Sequence, residues 1–214
     1  MLKALAIANY RSIRELVLPL GQLNLVTGPN GAGKSNLYRA LRLLSETALG
    51  TATASIAAEG SLASVLWAGP EQFSRGMRAG TTPVQGGPRK HPVNLKLGLS
   101  GDDFNYAIDF GLPAPVPRTL FDGDPEIKRE SIWNGDRYHS SRVMVDRSGP
   151  VVKGRDDQGG WQILNQHLAP FDSMLAQSAD PYLAPEAYQL REQIRSWRFY
   201  DQFRTDRDAP SRQS

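Results

Sequence analysis

The run Gly28-Pro29-Asn30-Gly31-Ala32-Gly33-Lys34-Ser35 carries the clearest chemistry in this chain. It fits the pattern G-x-x-x-x-G-K-[ST] at every fixed position. Glycines let a backbone curl until successive N–H groups face one anion, and a helix that starts at the end of the run adds its own N-terminal N–H groups. A lysine at position 34 supplies a cation for the β- and γ-phosphates of a nucleotide, and the Ser35 hydroxyl is the oxygen such a loop offers to Mg²⁺. The expected cofactor-binding set is Gly28, Pro29, Asn30, Gly31, Ala32, Gly33, Lys34 and Ser35, with Asn36 at its edge and Ser35 as the metal ligand. The bland alternative is a glycine-rich turn capping a helix. The flanks favour the cradle. Residues 22–27, Gln-Leu-Asn-Leu-Val-Thr, read as a short buried strand entering the loop, and residues 36–44 read as an amphipathic helix leaving it.

Other chemistry is hard to find. With no cysteine, disulfides and thiolate metal sites are excluded. His91, His139 and His167 lie far apart, without metal-ligand spacing or an acidic partner, and read as surface or structural. Val143-Met144-Val145-Asp146 imitates a hydrophobic strand ending in an acid, but Arg147 follows and a turn comes next, so a meander strand explains it better. No residue is assigned a catalytic role.

The elements that must hold the loop follow from periodicity. Residues 5–13 and 15–20 read as two β-segments before the loop strand, whereas a small P-loop kinase begins almost directly with that strand. Residues 46–58 are ambiguous, and residues 61–67 suggest a short helix ending at Gly69-Pro70. Glycines, prolines, arginines and a lysine over residues 76–92 suggest a mobile basic loop. Leu95, Leu97 and Leu99, then Phe104, Tyr106, Ile108 and Phe110, alternate about Ser100-Gly101-Asp102 and predict a hairpin with one buried face. Three prolines break the linker over residues 112–118. Asn134-Gly135 after Trp133 signals a tight hairpin turn, and Arg147-Ser148-Gly149 separates two further strands. The middle of the chain is therefore an antiparallel meander rather than alternating βαβ units. Pro185-Glu186 opens a helix in which Ala187, Leu190, Ile194 and Trp197 recur at helical spacing; the aromatic cluster of Trp197, Phe199, Tyr200 and Phe203 reads as core rather than as a base-stacking platform. The expected organisation is a nucleotide-binding core over 1–70, a β lobe over 71–160, and a helical segment with a polar tail over 161–214.

Composition sets the outer bounds. Hydrophobic content of 40% and charged content of 22% suit a water-soluble globular chain, and no signal-peptide core or membrane span is present. The lack of cysteine fits a reducing cytoplasm, the expected location. The net charge of +3 comes from the first fifty residues, where six cations face two carboxylates. Positive charge beside a phosphate loop serves a nucleotide; the pI of 9.3 leaves DNA contact open.

Residues 7–13, Ile-Ala-Asn-Tyr-Arg-Ser-Ile, followed by residues 23–37 resemble the N-terminal part of an ABC-type, AAA-family P-loop ATPase head. The specific likeness is to the RecF, SMC and overcoming-lysogenization-defect (OLD) group of DNA-repair and defence ATPases. Residues 197–204 also look like a feature of bacterial ATPases of this type. The resemblance covers about the first 45 residues closely and the remainder loosely. It implies an α/β fold, the N-terminal lobe of a P-loop NTPase head with an antiparallel β meander and a C-terminal helix. It implies ATP and Mg²⁺ as cofactors, a place for Arg11 beside the nucleotide, and Gln166 as a glutamine between lobes for Mg²⁺ and water. It also implies DNA as a partner of the full-length assembly, and an ATP-dependent homodimer once a C-terminal half is present. A hydrolytic head of that group also needs an Asp-Glu strand, a Ser-Gly signature helix and usually a switch histidine, and none is evident here. The expectation is an N-terminal fragment or truncated product that binds ATP·Mg²⁺ weakly without turning it over alone. A small-molecule P-loop kinase and a non-catalytic nucleotide-binding module are the alternatives.

Overall fold

A computed structural model describes residues 1–87, 92–114 and 123–200. The architecture is one antiparallel sheet of eight strands with helices against one face, and the strand order is β2-β1-β3-β4-β5-β6-β7-β8. β1 (Ala4–Tyr10) and β2 (Ile13–Pro19) form a hairpin at one edge. β1 pairs on its other side with β3 (Leu95–Ser100), so the strands before and after the phosphate loop share one sheet. β4 (Asn105–Gly111), β5 (Glu126–Trp133), β6 (Val143–Ser148), β7 (Val151–Arg155) and β8 (Trp161–Asn165) follow as a meander.

Alternation decides which face is covered. Leu5 and Ile7 of β1, Leu95, Leu97 and Leu99 of β3, Tyr106, Ile108 and Phe110 of β4, and Val143 and Val145 of β6 are all buried. All but Val143 share one core with Ala40, Leu43, Leu44 and Ala48 of α1 (Lys34–Leu49). Met174 and Leu175 of α5 (Met174–Gln177) and Ala187, Leu190 and Ile194 of α6 (Pro185–Arg195) complete that core. Short helices α2 (Ala52–Ala58), α3 (Leu62–Val65) and α4 (Arg75–Arg78) link α1 to β3. Among the described residues no helix is long and apolar enough to cross a membrane.

The β3–β4 hairpin, the strand character of residues 143–146 and the α6 periodicity match the sequence reading. Three expectations change. Residues 22–27 form no strand; they bend at 22–23, where Asn24 bonds back to Gly21, and are exposed, with Leu23 at 93% and Leu25 at 87%. A strand needs a neighbour to take its N–H and C=O groups, and no described strand lies beside this one. Gly135 does take the left-handed φ of 79° that a turn requires, but the chain runs on to a 3-10 turn at Ser140–Arg142 before β6 begins. Trp133 and Tyr138 pack edge to face at 5.4 Å within that longer connection, which displaces a two-residue hairpin. Trp197 lies beyond the end of α6, and Phe199 packs edge-on against Tyr38 of α1 at 5.6 Å while Tyr200 is exposed. Residues 88–91 of the basic loop, residues 115–118 of the proline linker, and Phe203 lie outside the described residues.

Candidate functional site

The turn between β1 and β2 is built by two non-glycine residues in the left-handed region, Asn9 (φ 61°) and Arg11 (φ 50°). Such a conformation persists only where the surroundings over-determine it. Here they do. Tyr10 is buried and bridges Leu66; Arg11 N–H donates to the Val65 carbonyl at 2.7 Å, and Trp67 N–H donates to the Asn9 carbonyl at 3.0 Å. The turn is thereby fixed to the end of α3.

The same turn reaches the phosphate loop. Asn36 Nδ2 of α1 donates to Ser12 Oγ at 2.8 Å. Gly28, Gly31 and Gly33 take φ values of 155°, 84° and 93°, so the glycines of the motif stand where an L side chain is strained. At Gly33 space is short as well, because an added β-carbon would stand 3.0 Å from Ser12 Oγ. Gly33 caps α1 without a side-chain bond; its carbonyl accepts from the Asn36 and Leu37 N–H groups at 3.0 and 3.1 Å, and the Lys34 and Ser35 N–H groups precede the first helical acceptor. They form a positive end at which an anion is favoured.

Lys34 Nζ donates to the carbonyls of Gly28 at 2.6 Å and Pro29 at 2.8 Å. An ammonium has three protons, so these bonds hold the loop curled around the charge and leave one proton for a ligand. Ser35 is exposed beside it, and Asn30, Gly31 and Ala32 are exposed along the loop. The loop therefore closes on itself through Lys34, with the Gly28 and Pro29 carbonyls turned toward the ammonium at the start of α1. Arg11 lies one residue from Ser12, but its guanidinium is ion-paired with Glu59 just past the end of α2.

Gln166 is not brought to this place. It follows β8 at the edge of the sheet opposite β1 and β2, six strand spacings of about 4.8 Å from β1. Asp146 on β6 accepts from Ser131 Oγ and pairs with Arg129 at 3.3 Å, which commits it to the sheet surface. His139 Nδ1 bonds Ser141 Oγ at 2.7 Å in a local turn, and His167 stands beyond β8. His91 lies outside the described residues. Among the described residues no three His, Cys, Asp or Glu side chains are grouped to hold a metal. A small hard cation such as Mg²⁺ is held by one or two protein oxygens plus substrate phosphates, so the Ser35 hydroxyl suits an ion that arrives with a nucleotide. The sequence reading missed Ser12 and Glu59. The Arg-Ser pair at the turn pointed to the first; nothing local marks Glu59.

Residues 23–165 match the family model described as "AAA domain, putative AbiEii toxin, Type IV TA system". A stretch of 44 residues is 48% identical to the OLD nuclease of Thermus scotoductus, and the match spans 21% of this chain and 8% of that protein. No solved structure matches the chain.

Proposed function

This chain belongs to the AAA-domain family that its residues 23–165 match, and from that premise we propose that it is the ATP-binding N-terminal portion of an ABC-type ATPase of the RecF, SMC and OLD kind. The observation that carries the proposal is the curled loop. Lys34 is already held by two loop carbonyls, and it opens α1, whose first turn has no side-chain cap. In this reading residues 28–36 cradle the phosphates, Ser35 meets Mg²⁺, and Arg11 adds a second cation from the β1–β2 turn. When bound, Mg²⁺ neutralises phosphate charge.

One further feature supports the assignment to part of a larger head. The apolar run at Leu23, Leu25 and Val26 is exposed and lacks a strand neighbour, as expected of a strand whose sheet is completed by other polypeptide. Asp146, which ends the strand that imitates an acidic one, is engaged by Ser131 and Arg129, and this favours binding without turnover. Action on DNA and ATP-dependent pairing of heads are proposed for the assembly containing the remaining half.

A titration with a fluorescent ATP analogue and Mg²⁺ tests the reading. The chain is expected to bind. Lys34→Ala, which removes a charged donor, is expected to weaken binding roughly 10- to 100-fold. Binding indifferent to Lys34 would overturn the proposal, and steady phosphate release lost in Lys34→Ala would overturn its binding-only part.

A further inference from the structure

Glu59 occupies an unfavourable place for an anion. It is the C-cap of α2, next to the carbonyl-rich negative end of that helix. What stabilises it is Arg11, whose guanidinium it pairs through Nη2. Arg11 Nε is buried and has no acceptor, so Glu59 engages only part of the guanidinium fork.

The chain beside Arg11 touches the phosphate loop. The next residue, Ser12, accepts from Asn36 Nδ2 at 2.8 Å and would crowd a β-carbon at Gly33 at 3.0 Å. Consecutive Cα atoms are about 3.8 Å apart, so the Arg11 side chain starts one step from the cradle while its charge is held by Glu59.

We propose that Glu59 is an internal competitor of the nucleotide. It holds Arg11 while the loop is empty and yields it to the phosphates when they arrive. The inference rests on the reading that Arg11 serves those phosphates. The exchange is favourable in direction. A polyphosphate carries more charge than one carboxylate and accepts from the planar guanidinium in bidentate fashion. The existing pair is partly solvated, with side chains 26% and 38% exposed, so it is weak enough to break. Glu59 is not stranded by the exchange. It already lines a cleft of about 340 Å³ together with the exposed Arg39 of α1, a cation that can receive it, and with Arg42, which pairs with Glu46. Occupancy of the loop would thus be relayed to the contact between α1 and α2.

The direction of one substitution decides the matter. Inorganic tripolyphosphate and an ATP analogue are titrated into the wild type, Lys34→Ala, Glu59→Gln, Arg11→Ala and the Arg11→Ala/Glu59→Gln double variant. Glu59→Gln is expected to bind both ligands roughly 1.5- to 5-fold tighter, the range of an exposed ion pair. Arg11→Ala should bind more weakly, and the gain from Glu59→Gln should vanish in the double variant. If Glu59→Gln binds no tighter, or as weakly as Arg11→Ala, Glu59 orients Arg11 or merely supports it, and the proposal falls alone. If the wild type does not bind, or Lys34→Ala binds equally well, the phosphate-loop reading falls and takes this inference with it.

Discussion

Lys34 and Asp109 show how differently two charged residues can be treated within one small structure. Lys34 is held by two carbonyls in an exposed loop, where its charge remains available. Asp109 lies on β4 with Oδ1 buried and lacking a hydrogen-bond partner among the described residues, and Lys96 stands 3.9 Å from Oδ2. Burial pushes the Asp109 carboxyl above its ordinary value, more than Asn94, Lys96 and the nearby cations of β5 pull it down. A raised folded-state pKa means that the native state binds the proton more tightly than the unfolded chain. The stability this contributes is complete below the ordinary carboxylate value and is lost as pH rises through the raised one. Asp109→Asn should therefore raise the thermal midpoint at about pH 7 and give no gain at about pH 3, below the unfolded carboxylate value. A lower midpoint for Asp109→Asn at neutral pH would mean that the attraction to Lys96 outweighs the burial.

At the scale of elements, legibility depended on whether a segment's partner lay nearby in sequence. The hairpin of β3 and β4 was readable because Leu95, Leu97 and Leu99 pair in register with Phe110, Ile108 and Tyr106 across a short turn. α1 was readable because a helix satisfies its own backbone. The loop strand was not, because Leu23, Leu25 and Val26 carry the apolar pattern of a core strand and only a neighbour can make them one. The same residues yield a prediction. In a buried strand, truncating each leucine would cost about 2–5 kcal/mol. At their observed exposure, Leu23→Lys with Leu25→Lys should change stability by no more than about 0.5 kcal/mol per site, read from denaturant midpoints. Light scattering should fall in the same variant, because an unpaired apolar edge invites association and lysine discourages it. A loss of several kcal/mol would place this segment in the core of the chain as it stands.

Across the whole molecule, the apolar core between the sheet and the helical layer is joined by one buried polar tie. The alternation that buries Val143 and Val145 carries Arg147 onto the same face, where it is wholly buried. That placement was implicit in the sequence. Its partner was not, because Glu130 comes from another strand and meets Arg147 only through the β5–β6 register. Arg147 Nη1 donates to Glu130 Oε2 at 2.7 Å, Nη2 to the Ala169 carbonyl at 2.9 Å, and Nε to the Gly149 carbonyl at 2.9 Å. Glu130 also accepts from the Tyr106 and Ser173 hydroxyls, each at 2.6 Å, and from Met174 N–H at 2.8 Å. Burial, then the Glu130 charge, push the Tyr106 phenol well above its ordinary range, so it stays a neutral donor. One fully satisfied cluster thus ties β4, β5 and β6 to the start of α5. Removing one partner of such a pair leaves a buried charge uncompensated and costs about 3–5 kcal/mol. Arg147→Met should accordingly lower the thermal midpoint by roughly 6–20 °C for a chain of this size. Adding Glu130→Gln should restore much of that loss, since the charge left behind is the main penalty. Because the cluster contains no residue from 28–36, nucleotide affinity of the folded Arg147→Met chain, measured well below its midpoint, should match the wild type. An affinity loss that tracks the midpoint would show instead that the α1 cradle depends on this buried pair for its shape.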